Sequence, residues 1–107
     1  MDDLLVATFE AHNPERNHHR WYRVRVGKDL FGDWTVSLGY GRVGQAGQTR
    51  RYASDNPDDL LAVIRARIVR RRSAPTRLGC GYRLVHCDAA AGIDPHDWLP
   101  AHLMAGF

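Results

Sequence analysis

The segment Trp21-Tyr22-Arg23-Val24-Arg25-Val26 alternates without a fault between a face of Tyr22, Val24 and Val26 and a face of Trp21, Arg23 and Arg25. Successive side chains of a strand point to opposite sides, so this stretch reads as a half-buried antiparallel strand with an arginine-bearing outer face. A second alternating run sets Trp34, Val36, Leu38 and Tyr40 against Thr35, Ser37 and Gly39. Between the two, Asp29-Leu30-Phe31-Gly32-Asp33 reads as a hairpin connection. Gln48 to Ala53 is the returning strand. Leu4 to Glu10 suggests a first strand closed by the turn signal His12-Asn13-Pro14, and Gly81 to Cys87 a last one.

One helix completes the pattern. Asn56 can cap it, Pro57 fits its first position, and Asp58 and Asp59 favour the positive end of its dipole. Leu60, Leu61, Ile64 and Ile68 fall on one helical face, whereas Arg65, Arg67, Arg70, Arg71 and Arg72 lie largely off it. The helix is expected to stop near Ser73-Ala74-Pro75. The expectation is an α+β domain: an antiparallel sheet of about five strands with one amphipathic helix packed on it.

At 107 residues the chain has material for a single domain. We expect that domain over residues 1–87. An extension over residues 88–107, rich in large apolar groups at Trp98, Leu99, Leu103, Met104 and Phe107, is expected to dock on it. The alternative for that extension is a contact with a protein partner or with another copy of the chain. The longest uninterrupted apolar run, Leu60 to Ile64, is far short of the roughly 20 residues of a membrane span. Met1-Asp2-Asp3 is unlike the basic start of a secretory signal, and two cysteines are too few for a disulfide framework. A reduced, cytoplasmic protein is the expectation.

Charge is unevenly spread. The formal net charge of +3 divides into −3 over residues 1–19, +9 over residues 20–87 and −3 over residues 88–107, and 14 of the 15 basic residues are arginine. Arg23, Arg25, Arg50 and Arg51 sit on strands and Arg42 in a glycine-dense loop. Arginine's planar fork suits phosphate oxygens, and glycines let backbone N–H groups approach an anion. Tyr40, together with Trp21, offers a ring for stacking on a base or sugar. Composition alone is equally compatible with arginines spread over a solvated surface.

The sequence offers no recognisable catalytic constellation. Gly39-Tyr40-Gly41-Arg42-Val43-Gly44 has the spacing of a dinucleotide loop, but Gln45-Ala46-Gly47-Gln48 and a strand follow it where a helix N-terminus would be needed. No Gly-Lys-Ser/Thr run marks a P-loop. His18 and His19, adjacent on an extended chain, point opposite ways and suit a metal poorly. Cys80, His86 and Cys87 lack a standard zinc spacing, and inert buried cysteines are the plainer reading. No catalytic residue, metal site or cofactor is expected.

Taken in order, three segments carry a resemblance: Asn17-His18-His19-Arg20-Trp21-Tyr22-Arg23-Val24, then Asp29-Leu30-Phe31-Gly32-Asp33-Trp34-Thr35-Val36, then Tyr40-Gly41-Arg42-Val43-Gly44-Gln45-Ala46-Gly47-Gln48. Together with Gly81-Tyr82 after the arginine-rich helix, they resemble a WGR domain over roughly residues 5–85, of the kind found alone in small bacterial proteins. Tyr40 stands where the family's namesake has Trp, which keeps a ring and loses the indole N–H donor. The resemblance implies a non-enzymatic module that binds nucleic acid; in poly(ADP-ribose) polymerases such modules help bind DNA breaks. It also implies roles for Tyr40 near a terminal sugar or base, Gly41 in permitting the turn, and Arg42 on phosphate or a neighbouring domain. The expected interface is Tyr40, Gly41, Arg42, Arg23, Arg25, Arg50 and Arg51, with DNA ends, nicks or breaks as partner. The alternative is a protein-interaction module using the same loop and the apolar tail, through Trp98, Leu103, Met104 and Phe107.

Overall fold

A computed structural model describes residues 2–69 and 81–99. The strands are β1 (Asp2–Asn13), β2 (His18–Lys28), β3 (Trp34–Arg42), β4 (Gln48–Ser54) and β5 (Arg83–Ala89); the helices are α1 (Pro57–Val69) and the short α2 (Pro95–Trp98). The five strands form one antiparallel sheet in the order β4-β3-β2-β1-β5, so β5 returns across the sheet to pair with β1. This is the α+β arrangement expected from the alternation and the single amphipathic helix.

The alternation sorts the sheet into two faces. Tyr22, Val24 and Val26 of β2 lie beside Leu5, Ala7 and Phe9 of β1 and Val36 and Leu38 of β3, all buried. Leu60, Ile64 and Ile68 of α1 close over them, spaced so that each falls on the same side of the helix. The other face carries no helix among the described residues. We refer to it as the open face; it bears Trp21, Arg23 and Arg25.

Local chemistry fixes the ends of these elements. At α1 the Asp58 N–H donates to Asn56 Oδ1 at 3.0 Å, the expected cap, and the Ser54 hydroxyl bridges back to Asp59. In the β2–β3 hairpin, Asp29 Oδ1 accepts from the N–H groups of Phe31 and Asp33 at 2.9 and 3.0 Å, and Gly32 supplies a φ of 83°. That tightly bonded tip holds Leu30 and Phe31 out in solvent, each 90% exposed.

Several strand boundaries differ from the alternation pattern. β1 runs on to Asn13 and β2 begins at His18, because a 3-10 turn over Pro14–Arg16 and Asn17 at φ 55° reverse the chain tightly enough for Asn13 to pair with His18. Apart from the buried Ala11 the residues added around this turn are polar, so hydrophobic patterning gives little signal there. β5 lies two residues beyond the expected Gly81–Cys87, and as an edge strand it buries only Leu84.

In the extension, Trp98 and Leu99 join the core, with the Trp98 ring 5.5 Å from that of Trp34, over which Lys28 Nζ lies at 4.5 Å. Trp98, 8% exposed, is thereby withdrawn from any partner surface. Leu103, Met104 and Phe107, Arg70 to Arg72, the expected helix stop and Cys80 lie outside the described residues. Among those described, no helix is long and apolar enough to cross a membrane.

Ile64, fully buried beneath the sheet, and Arg65, exposed beside it, give a direct check on this packing. Ile64→Ala is expected to cost about 2–5 kcal/mol in a denaturant titration, and Arg65→Ala within roughly 0.5 kcal/mol of zero.

Candidate nucleic-acid interface

The loop between β3 and β4 is built around Trp21. Its indole N–H donates to the carbonyl oxygens of Arg42 and Gln45 at 3.0 and 3.2 Å, one on the last residue of β3 and one within the turn. The loop is held from a second side where the Val43 N–H donates to the His19 carbonyl at 2.9 Å. Trp21 therefore fastens the chain reversal to the centre of the sheet.

Such close seating requires glycine. A Cβ on Gly47, which sits at φ 66°, would collide with the Tyr40 carbonyl and approach the Trp21 ring to 2.8 Å. One on Gly41 would come within 2.8 Å of the Gly47 Cα. Gly41 thus lies within β3 and serves close backbone approach, whereas the positive φ of the turn falls on Gly44 and Gly47. The expected turn role of Gly41 moves to those two residues.

Arg42 and Tyr40 flank the loop on its helix side. Arg42 shares the parity of Leu38 and pairs with Arg20; its guanidinium donates to the backbone oxygen of Asn17 at 3.4 Å and to Asn17 Oδ1 at 3.2 Å. Both acceptors are neutral, so the guanidinium is positioned without its charge being cancelled. The half-buried Tyr40 hydroxyl donates to Gln48 Oε1 at 2.8 Å, tying the end of β3 to the start of β4.

The expected arginines divide between the two faces. Arg23, Arg25 and Arg51, the last opposite Ser37, share the open face; Arg50, opposite Leu38, takes the helix side with Arg42. The adjacent Arg50 and Arg51 have to point apart, as neighbours on any strand do. Arg23 lies over the Trp21 ring at 5.1 Å from its centroid and donates through Nε to Thr8 Oγ1 at 3.1 Å. Arg25 pairs with Asp3 at 3.3 Å. On this face Trp21, Arg23, Arg25, Glu10, Thr49 and the loop residues Val43 to Ala46 line a shallow cleft of about 500 Å³.

A comparison with protein families matches residues 5–72 to the WGR domain. The chain belongs to the WGR family. No curated protein and no solved structure gives a significant match to it. WGR domains are in general nucleic-acid-binding modules rather than catalytic domains. In this WGR domain the glycine spacing Gly39 to Gly44 is followed by β4, with no helix N-terminus behind it to receive a pyrophosphate.

Two features escaped the sequence pattern. Asn17 is a site residue only because the 3-10 turn brings it to Arg42. Glu10, His12 and His19 form a hydrogen-bonded chain on the open face, which follows from the β1–β2 register rather than from any local motif. Burial, with Asp88 beside it, pushes the Cys87 thiol up from its ordinary value, so it stays protonated near neutrality.

The Trp21 seat makes a ranked prediction. Gly47→Ala has to relieve both a strained φ and a backbone collision, whereas Gly44→Ala, with open space around it, meets only the left-handed penalty of about 1–2 kcal/mol. Thermal unfolding is expected to place Gly47→Ala clearly below Gly44→Ala. Trp21→Phe, which removes the loop's shared donor, should lose about 1–3 kcal/mol.

Proposed function

We propose that this WGR domain binds DNA, favouring ends, nicks or breaks, through Tyr40, Gly41 and Arg42 with Arg23, Arg25, Arg50 and Arg51 around them. The observation that carries the reading is Arg42 itself: a guanidinium set by Asn17 on neutral oxygens, beside a half-buried aromatic ring, at the mouth of a fixed loop. A held guanidinium with a tyrosine two residues before it on the same side of the strand offers a phosphate contact and an aromatic group together. Arg23, Arg25 and Arg51 lie on one face and Arg42 and Arg50 on the other, and Arg25 is paired with Asp3, so the arginines form no single contiguous face and the reading rests on Arg42 rather than on the basic residues as a set.

Affinity is expected to fall with salt, at a log–log slope of about −0.9 for each phosphate neutralised on B-DNA. Arg42→Ala should weaken binding and make that slope shallower by roughly one phosphate. Fluorescence anisotropy against nicked, blunt and single-stranded DNA measures both, and absence of binding to all three at about 50 mM salt refutes the reading.

A second reading is favoured by the hairpin tip. Leu30 and Phe31 are large apolar side chains held 90% exposed by a rigid turn, the form of an anchor for a protein partner's pocket. The carboxylates of Asp29 and Asp33 beside them disfavour a DNA backbone. With Leu30 and Phe31 both changed to Ser, DNA affinity and thermal stability are expected to stay as in the wild type; a loss of DNA affinity would place the tip on DNA instead.

A further inference from the structure

Arg42 is not alone in being a guanidinium held by neutral groups. On the open face Arg23 donates through Nε to the hydroxyl of the buried Thr8 and lies over the Trp21 ring, 5.1 Å from its centroid. Its two Nη atoms make no further hydrogen bond to the described residues, and the side chain lines the open-face cleft. The floor of that cleft is β3, where Gly39 stands opposite Arg23 and Ser37 opposite Arg25. These small residues leave a trench between the arginines of β2 and Thr49 of β4. A Cβ on Gly39 would press on the Trp21 ring at 2.9 Å and reach the Thr49 hydroxyl at 3.5 Å.

We propose that this trench binds an acidic segment of a partner protein in extended conformation, with carboxylates at alternate residues, one on Arg23 and one on Arg25. Arg25 already holds a carboxylate, that of Asp3, at 3.3 Å. Both side chains of that pair are partly exposed, and such a pair is weak enough for an incoming carboxylate to exchange with it. Same-side residues of a strand recur every second position, roughly 7 Å apart. An extended peptide lying along β2 repeats at the same interval, so acids two residues apart face both arginines, whereas acids three residues apart point to opposite sides. The fork of Arg23, fixed beforehand by Thr8 and Trp21, can take both oxygens of a carboxylate.

A single nucleic-acid strand also carries evenly spaced anions, but it occupies such grooves by stacking its bases on rings. Trp21, the aromatic residue lining this cleft, is covered by glycine backbone on one side and by Arg23 on the other. A small molecule needs a concavity that encloses most of its surface, and this trench is shallow. The proposal goes beyond the DNA reading, whose fixed cation, Arg42, stands on the helix side.

The isotope-labelled full chain is titrated by NMR with two end-blocked peptides of one composition, Gly-Ser-Glu-Ser-Glu-Ser-Gly and Gly-Glu-Ser-Ser-Glu-Ser-Gly. The first, with alternate acids, is expected to move the signals of Gly39, Thr49 and the Trp21 indole N–H, and to bind about tenfold more tightly than the second. Arg23→Gln should weaken it about 10–100-fold. Arg65→Ala, which removes the same charge from the exposed side of α1, should bind as the wild type does. Circular dichroism verifies folding, and Arg23→Lys, which keeps the charge and gives up the fork, takes the place of Arg23→Gln should that variant unfold. Absence of binding, equal affinity for the two peptides, or an affinity unchanged in the folded Arg23 variant overturns the proposal. An Arg23 variant that loses affinity for single-stranded DNA and keeps it for the peptide overturns it too, and gives the trench to nucleic acid.

Discussion

The register of β2 is the constraint on which the rest depends. It is the middle strand of five, and its strict alternation assigns Tyr22, Val24 and Val26 to the helix and Trp21, Arg23 and Arg25 to the open face. A slip of one residue would drive two guanidinium groups into the core and expel three large apolar side chains, a cost no surface contact could offset. The same register then fixes what stands opposite: Gly41 across from Trp21 on β3, and His12 across from His19 on β1. Loop seat and imidazole pair are both consequences of one alignment.

Trp21 illustrates how an exposed-face aromatic can be structural without being buried in the core. Its ring is shielded by the glycine backbone on one side and approached by Arg23 on the other, and its N–H is already shared between two carbonyls. Those commitments leave it poorly suited to stacking on a base. The ring that remains near the loop for such a contact is Tyr40, which lies on the opposite face.

Much of this was legible in the residues. The period-two runs of β2 and β3, the capped start of α1 and its Leu60, Ile64 and Ile68 stripe all pack as their spacing implies. The face of Arg42 was also available, since it shares the parity of Leu38 and Tyr40, and adjacent Arg50 and Arg51 could never share one side. The pairing of His12 with His19 was not available, because both strand ends are polar and only the turn at Pro14–Arg16 sets their alignment. Nor was the glycine seat: a spacing that resembles a nucleotide loop takes its meaning from Trp21, distant in sequence and adjacent across the ladder.

Tyr40 in place of the family's Trp can be understood from these contacts. An indole at position 40 would bring a donor, but the donor that closes this loop comes from Trp21, and the Tyr40 hydroxyl takes up a different task by bonding to Gln48 across the loop's neck. The reversal is thereby held from both faces of the sheet, by Trp21 on the open side and by Tyr40 and Arg42 on the helix side. A ligand meeting a loop so restrained does not have to order it, and the conformational entropy that binding would otherwise cost has been lost already on folding. That preorganisation lets the loop present the Arg42 guanidinium in a place fixed by contacts within this domain.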